Sequence, residues 1–500
     1  MSTIVQRSTF IRSERIAGGI LPRVLSSFDM VAIFVAIVLF IGNAAVVTGA
    51  GAAAYTYWIL GFITCLIPGA IVTGQLGLMF PGEGSIYVWT TKAFGDFLGF
   101  LGGFCAWWPG ILVMISAGDT VVAFIQNLGS LYNQQLLSDP GSQGLVIILI
   151  ITISFLLSVL RFRVTQNLVN MIFLAYGGAI ILIGMAGVLW LLTGHASNTD
   201  LSLQTGKWVP NSSNFTFYGT VVLALLGIEV PLNMGVEIKD RSSITRYLLW
   251  GSVVVMVAYL IATFGVMIAV PAGNQGDLSA VVEAIKRGFA GSLGMVLATV
   301  ADLFLIGYFV FVCAVYNYSY ARLIFVSGLD RRLPIVMSKI NGNKVPWIAV
   351  LVQSALAALL AALIFILAPF VIPKGEDVST IIYNIILAAA AIFWSMSMVF
   401  LFVDVVAIRH KFQDAFARIH LAPDWIFTMC SIVGTIASGV AIAVIFTAPW
   451  TKKLSTAQWN TWVIGIVIIS LIAAVIVFIM GRRAIRSDMS DEELIAEVTR

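Results

Sequence analysis

One acidic residue, Glu229, lies in the middle of an apolar segment of the chain. A carboxylate inside a membrane costs about 2.5–3.5 kcal/mol unless it is paired, hydrated or protonated. Its presence therefore calls for a specific role. We predict a group that binds a proton or acts in gating, and the alternative is a carboxylate that caps the second half of a broken helix. Asp119 and Asp302 also lie in apolar segments, but no motif surrounds them, and helix packing or a polar network is expected there.

Two apolar segments are interrupted at comparable places, the first at residues 41–45 and the sixth at residues 227–229. Unwinding a helix exposes unpaired N–H groups on one half and unpaired C=O groups on the other. Paired breaks of this kind indicate a binding site near the middle of a membrane. The alternative is that the glycines only allow close helix packing.

The composition identifies the surroundings of these residues. Apolar residues make up 60% of the chain, charged residues only 10%, and the mean hydropathy is +1.00. This apolar share is far above that of soluble domains. Because helices satisfy their own backbone groups in lipid, we predict an all-α polytopic membrane protein with about twelve transmembrane helices. The apolar segments lie near 27–50, 56–79, 97–127, 144–160, 167–193, 216–237, 246–271, 291–318, 347–372, 380–407, 423–447 and 459–480.

The distribution of Lys and Arg predicts that both termini are cytosolic and that the protein lies in the cytoplasmic membrane. The small net charge of +4 and the short basic clusters give no support for nucleic-acid binding. The predicted cytosolic segments hold Arg161, Arg163, Lys239, Arg241, Arg246, Arg322, Arg331, Arg332, Arg409, Lys411, Arg482, Arg483 and Arg486, among others, and the opposite loops hold only Lys207, Lys286, Arg287, Lys374, Lys452 and Lys453.

No cofactor or metal site is predicted from the cysteines and histidines. Cys65, Cys105, Cys313 and Cys430 all lie in apolar segments, where they pack as small side chains and indicate no disulfide framework. The three histidines, His195, His410 and His420, are expected in loops, which argues against a haem, a zinc centre or a histidine proton relay.

The two breaks each open a set of five predicted helices. An odd number of spans in the first set inverts the second set, which predicts an inverted repeat. Two amphipathic stretches, Tyr87–Phe97 and Leu278–Phe289, stand at mirror positions in the two sets. The predicted organisation is a cytosolic tail at 1–24, repeats at 25–195 and 214–410, two further helices at 421–482, and a cytosolic tail at 483–500.

Three stretches resemble the amino acid-polyamine-organocation superfamily. Residues 76–108, LGLMFPGEGSIYVWTTKAFGDFLGFLGGFCAWW, are similar to its signature after the second helix. Residues 227–240, GIEVPLNMGVEIKD, are similar to its sixth-helix break and exit. The third match is Arg322 followed by Asp330, Leu333 and Pro334, and then Val345-Pro346. The chain departs from the pattern in the first break, which lacks Gly-Ser-Gly, at Leu225-Leu226, which replaces an aromatic residue, and at Tyr176, where some members have a lysine.

The resemblance implies a site for an amino acid between the two breaks, with the solute carboxylate on backbone donors at residues 42–45 and its ammonium on carbonyls around residues 224–227. Aromatic side chains would close the pocket, although each of them is often ordinary core. The predicted substrate-binding residues are Ile41, Gly42, Asn43, Ala44, Ala45, Ala224, Leu225, Gly227, Ile228, Tyr308, Tyr316 and Trp394, with Glu229 for proton coupling or gating.

The expected function is secondary active transport of amino acids or related amines by alternating access, as proton-coupled symport or as substrate exchange. Neutral or cationic solutes are favoured because the spans hold essentially no Lys or Arg. Sodium coupling is disfavoured, since Leu303–Tyr316 has no Ser or Thr. The partners are a small solute and the lipid bilayer. The alternatives are a membrane enzyme acting on lipid-linked substrates and a transporter-like solute sensor, and the oligomeric state is left open.

Overall fold

The computed structural model describes residues 11–160, 162–203, 206–371, 377–484 and 490–499. Within these ranges the chain is helical, and its only β-type pairings are two isolated bridges, Leu25 with Ile238 and Glu83 with Met234. The all-α prediction is therefore confirmed. Three basic residues that entered the orientation argument, Arg161, Lys374 and Arg486, lie outside the described residues.

The helices are numbered in chain order. They are α1 Arg12–Ile20, α2 Ser27–Val38, α3 Gly42–Val47, α4 Ala53–Met79, α5 Ser85–Phe94, α6 Asp96–Leu131, α7 Pro140–Val159, α8 Phe162–Leu192, α9 Thr216–Ala224, α10 Ser242–Ala269, α11 Ala280–Phe289, α12 Gly291–Leu329, α13 Trp347–Val371, α14 Asp377–Lys411, α15 Gln413–Arg418, α16 Asp424–Thr447, α17 Thr456–Ala484 and α18 Asp491–Thr499.

Ten of the described helices are long and apolar enough to cross a membrane. The pair formed by α2 and the segment Gly42–Ala50 is bent by 47° and can supply an eleventh span. The sixth predicted segment instead forms the short α9, an irregular stretch and two 3₁₀ turns, Val230–Asn233 and Gly235–Glu237. The chain is thus a polytopic membrane protein, and the count of twelve and the inverted repeat stay predictions.

The two predicted amphipathic stretches are helical, as expected. They form α5 and α11, and in each case a single residue separates the short helix from the long one that follows. The separating residues are Gly95, with φ of 91°, and Ala290, with φ of 52°. A positive φ turns the chain sharply, so both short helices lie against the long helices α6 and α12 that they precede.

Both described ends of the chain lie on one side of the bundle, which we call the terminal side; the other is the opposite side. Arg12 of α1 pairs with Asp491 of α18 at 3.0 Å, and the Ile340 amide donates to the Val498 carbonyl at 3.1 Å. The buried side chains of Leu494 and Val498 hold α18 in place. Both predicted tails therefore contain a docked helix.

Two sequence expectations about individual residues were wrong. His410 lies in the last turn of α14 and not in a loop, because that helix runs on to Lys411. Arg322 lies inside α12 and is fully buried, although it was expected in a cytosolic segment. Its charge is tolerated there because the carboxyl groups of Glu83 and Glu237 contact it.

Candidate functional site

A cavity of about 390 Å³ lies between the α2–α3 break and helices α6, α9, α12 and α14. Its rim includes Val46, Thr220 and Trp450, which lie towards the opposite side. Aromatic rings of Phe40, Tyr316, Trp394 and Trp450 form much of its wall, and polar groups come from Asn43, Ser116 and Thr220. Among the described residues no charged side chain lines it.

Four of the predicted substrate-binding residues line this cavity: Asn43, Ala224, Tyr316 and Trp394. Gly42 faces away from it, because a Cβ atom there would lie 2.7 Å from Leu278 Cδ1. The others are buried around the cavity without lining it, so their contact with a solute stays a prediction. They are Ile41, Ala44, Ala45, Leu225, Gly227, Ile228 and Tyr308.

Three tyrosines satisfy the carbonyl groups at the end of α2. The hydroxyls of Tyr316, Tyr259 and Tyr176 donate to the carbonyls of Ile37, Val38 and Leu39, each at 2.9 Å. These carbonyls are among the last of α2 and would otherwise lack a helical partner. Tyr316 was predicted to close the pocket, Tyr176 was noted only as the position where some family members have a lysine, and Tyr259 was not predicted.

The N–H donors proposed for a solute carboxylate are partly in use. The amides of Asn43 and Ala44 donate to the carbonyls of Phe40 and Ile41, both at 3.0 Å. The helix interruption itself falls at residues 39–41, slightly before the predicted one. A solute carboxylate at residues 42–45 would have to compete with these bonds, and its binding there stays a prediction.

Gly227 shapes the second break. Its φ is 94°, which is accessible to glycine at little cost, and a Cβ atom would lie 2.6 Å from both Ile37 Cγ2 and Trp394 Cζ2. Only glycine lets the chain turn while Trp394 keeps its place in the cavity wall. The Gly227 carbonyl accepts from the Val230 amide at 3.1 Å, and Pro231 removes a donor that a continuous helix would need.

Glu229 lies close to Trp394, a residue of the cavity wall, but does not itself line the cavity. Its side chain is 1% exposed, and neither carboxyl oxygen has a hydrogen-bond partner of standard geometry. The Trp394 indole Nε1 is close to it but also lacks a well-aligned partner. No side-chain capping bond reaches the following turn, Val230–Asn233, so the helix-cap interpretation has no hydrogen bond to support it.

The other two acidic residues of the apolar segments differ from each other. Asp302 on α12 accepts a hydrogen bond from Asn127 on α6 at 2.9 Å, as expected for a polar network. Asp119 on α6 lies within electrostatic range of the Tyr383 hydroxyl. Within the described residues, no group of three or more His, Cys, Asp or Glu side chains is arranged to hold a metal ion.

Several residues that line the cavity on α6 and α9, including the polar Ser116 and Thr220, were not predicted. Pro109, Val113 and Ser116 line the cavity at helical spacings of four and three residues. That periodicity was visible in the sequence, but in a segment that is apolar on all sides it does not indicate which face meets a cavity. Thr220 was missed for the same reason.

Comparison with known proteins places the chain in a family. The family model described as amino acid permease matches residues 25–470. A probable agmatine/putrescine antiporter of Lactococcus lactis is 24% identical over 289 residues, which cover 56% of this chain and 59% of the relative's length. An uncharacterized transporter of Legionella pneumophila is 23% identical over 358 residues, which cover 69% of this chain and 74% of that protein.

A shorter match supports the same family. A polyamine transporter of Oryza sativa is 31% identical over 102 residues, which cover 19% of each chain. The family and these relatives are transporters rather than enzymes, so the membrane-enzyme alternative is set aside. The family match spans most of the chain, including both breaks and the cavity. The chain is therefore an integral membrane protein that belongs to the amino acid permease family.

Proposed function

We propose that the chain is a secondary active transporter. Its solute carries an ammonium group and binds in the cavity between the two breaks. The observation that carries this proposal is the cavity wall: four aromatic rings contribute to it, and one of them, Trp394, lies close to the buried Glu229 carboxyl. Aromatic faces attract ammonium groups, by about 0.5–2 kcal/mol depending on desolvation. A carboxylate behind the wall adds a long-range attraction for positive charge.

Cationic amines are the first candidate solute. The relative from Lactococcus is named as an agmatine/putrescine antiporter and the rice relative as a polyamine transporter. A neutral amino acid is the second candidate, because no charged side chain among the described residues lines the cavity. An acidic amino acid fits neither observation, since its second carboxylate would find no cation.

Proton coupling or solute exchange is proposed over sodium coupling. A sodium ion bound at the α2 break would need its carbonyl oxygens. Those of Ile37, Val38 and Leu39 already accept hydrogen bonds from tyrosine hydroxyls. The stretch Leu303–Tyr316 of α12 offers no Ser or Thr hydroxyl as a further ligand.

Counterflow into liposomes tests the proposal. The purified chain is reconstituted, the liposomes are loaded with unlabelled solute, and uptake of labelled putrescine, agmatine, lysine, leucine or glutamate is followed. We expect uptake of an amine or a neutral amino acid, independent of sodium, and none of glutamate. Exclusive uptake of glutamate, or a strict need for sodium, would contradict the proposal. A folded chain that moves none of the solutes would favour the sensor alternative.

A matched pair of variants links transport to the cavity. Ala391 lines the cavity, and Ala443 is exposed on the surface of α16. Ala391→Phe should abolish counterflow by filling the cavity, whereas Ala443→Phe should leave it unchanged. Equal counterflow in both variants would place the solute path elsewhere.

We also propose that the terminal side is cytosolic in the cytoplasmic membrane, as the Lys and Arg distribution predicts. The cavity would then be reached from outside the cell. Cysteines introduced at the termini and in the segment that carries Arg331 and Arg332 should be labelled only after the cells are permeabilised. Labelling in sealed cells would reverse the orientation.

A further inference from the structure

Two glutamates and one arginine form a buried cluster on the terminal side of the cavity. Glu83 follows α4, Glu237 lies in the 3₁₀ turn Gly235–Glu237, and Arg322 lies on α12. Their side chains are at most 1% exposed. The Glu237 carbonyl also accepts from the amides of Val24 and Leu25, at 2.8 and 2.9 Å, which fixes the cluster beside the start of α2.

The arginine contacts both carboxyl groups. Arg322 Nε and Nη2 lie 2.9 and 2.7 Å from Glu237 Oε1, and Nε lies 3.3 Å from Glu83 Oε1. The Val236 amide donates to Glu83 Oε2 at 3.2 Å. Two oxygens are left without a donor, Glu83 Oε1 and Glu237 Oε2. The two carboxyl groups are also within hydrogen-bonding reach of each other.

The charges of this cluster balance only if one carboxyl group is protonated. Two buried carboxylates side by side repel each other, and one guanidinium neutralises one of them. Burial, and after it the neighbouring Glu237 carboxylate, raise the pKa of Glu83 well above its ordinary value, against the opposing effect of Arg322. A proton held between the two groups removes the repulsion and provides a donor for the oxygens that lack one.

Among the residues that the structure describes, Arg322 is the only cation within 4.0 Å of either carboxyl group of the cluster. The Tyr318 hydroxyl on α12 donates to Gln166 at 3.0 Å and therefore gives no hydrogen bond to the cluster. Lys239, which follows the 3₁₀ turn, is exposed. The remaining charged groups nearby have partners of their own: Lys92 with Glu14, Arg163 with Asp29, Asp330 with Ser13 and Tyr87, Asp404 with Thr90, Arg332 with Asp96, and Arg12 and Arg15 with Asp491.

We propose that Glu83 and Glu237 share one proton beside Arg322, and that this site binds the proton while the terminal side is closed and releases it when that side opens. The cluster joins the segment after α9, the loop before α5 and α12, so an opening that separates these elements exposes it. Both carboxyl groups then meet water, where a glutamate ionises with a pKa of about 4.3. One proton leaves to the water on the terminal side for each opening.

The proposed site is distinct from Glu229 and does not depend on which solute is carried. It predicts the direction of a pH effect. A carboxyl group whose pKa is raised in the closed state stabilises that state at low pH, and this contribution is lost as pH rises through the raised pKa. The closed terminal side should therefore be favoured in acid and weakened in alkali.

Thermal unfolding of the purified full-length chain, without solute, tests the proposal. The wild type, Glu83→Gln and Glu237→Gln are compared from about pH 5 to about pH 9. Glutamine mimics a protonated carboxyl group and cannot titrate. Glu283→Gln is the control, since Glu283 is a partly exposed carboxylate paired with Arg287 on α11, far from the cluster in the chain.

We expect the unfolding temperature of the wild type and of Glu283→Gln to fall more steeply with rising pH than that of either cluster variant. The double variant should be destabilised at every pH, because it leaves Arg322 buried without a carboxylate. Equal pH slopes in the wild type and both single variants would overturn the proposal.

Infrared spectroscopy gives a second readout that needs neither a solute nor a stability difference. The difference spectrum between wild type and Glu83→Gln near neutral pH should contain the C=O band of a protonated carboxyl group. If Glu83→Gln does not fold, the difference spectrum between wild type and Glu237→Gln is measured instead, and the same band is expected. A difference spectrum that contains only the bands of an ionised carboxylate would contradict the shared proton.

Discussion

At the scale of single residues, two buried carboxyl sites differ in their surroundings. Glu83 and Glu237 contact Arg322, which stabilises one negative charge between them. Within the described part of the chain, Glu229 forms no salt bridge and has no hydrogen-bond partner of standard geometry. A site without a built-in partner is available to a solute or a proton, and this is why Glu229 is proposed to act within the transport cycle rather than in structure.

Glu229→Gln tests that role. The amide keeps the shape of the carboxyl group but cannot titrate, so the variant should fold, transport more slowly and show a flatter pH profile between about pH 5 and about pH 8. Counterflow rates and unfolding temperatures are measured together. Glu283→Gln is the control, because Glu283 is a partly exposed carboxylate paired with Arg287 on α11. An unchanged pH profile with a lowered unfolding temperature would make Glu229 a structural residue.

At the scale of the elements, the α2–α3 break is held by side chains from three other helices. Tyr176 comes from α8, Tyr259 from α10 and Tyr316 from α12, and each hydroxyl donates to a different carbonyl at the end of α2. The break is thus held in place, and the carbonyls of Ile37, Val38 and Leu39 all have hydrogen-bond donors. Tyr308 offers a natural comparison, because it stacks on Tyr176 with ring centroids 3.6 Å apart, yet its own hydroxyl has no partner.

Tyr176→Phe should therefore destabilise the protein by about 1–3 kcal/mol, the cost of a buried carbonyl left without its donor. Tyr308→Phe removes an unpaired hydroxyl from an equally buried ring and should be neutral or stabilising. Thermal unfolding of the two variants in parallel measures the difference. Similar losses in both variants would mean that the hydroxyl bonds do not hold the break.

The spans and the existence of two breaks could be predicted from the sequence, but the local geometry of the breaks could not. Apolar segments longer than about 20 residues predict spans directly. Gly42 marked the first interruption to within a few residues. The interruption itself lies at residues 39–41, where the Tyr176 and Tyr316 hydroxyls bond the carbonyls of Leu39 and Ile37. These tyrosines are 137 and 279 residues away from those carbonyls along the chain, so the sequence did not indicate the bonds.

The cavity wall was predicted only in part for a related reason. Trp394 and Tyr316 were predicted as aromatic side chains that could close the pocket, and Tyr316 also because it aligns with an aromatic residue of related exchangers. Ser116 and Thr220 lie in helices that are apolar all round, where no periodicity marks the inner face. The Glu83–Arg322–Glu237 cluster was inside the motifs that carried the family resemblance, but the partnership depends on tertiary contacts.

At the scale of the whole molecule, the two chain ends are joined on the terminal side. Asp491 at the start of α18 accepts a hydrogen bond from Arg15 and pairs with Arg12 on α1. The Arg15 side chain is the main cause that lowers the pKa of Asp491. A lowered pKa stabilises the docked helix above the ordinary pKa of the group, and this contribution is lost as pH falls through the lowered value.

Asp491→Asn should loosen α18 slightly, because a partly exposed ion pair contributes only about 0–1 kcal/mol. Hydrogen exchange at the Ile340 amide, which bonds the Val498 carbonyl, should become up to about fivefold faster near neutral pH. Acidification should abolish the difference between variant and wild type. Glu492→Gln, on the exposed face of the same helix, should not change the exchange. Equal effects of the two substitutions would exclude the ion pair as the cause.

The central claim is that the solute binds in the cavity between the two breaks, and protection of an introduced cysteine tests it most directly. All four native cysteines are buried, so background labelling is low. In Thr220→Cys the thiol lies at the cavity rim, and in Val209→Cys it lies in an exposed loop. A solute that passes the counterflow test should slow thiol labelling of Thr220→Cys and leave Val209→Cys unchanged. Labelling of Thr220→Cys at the same rate with and without that solute would contradict the claim.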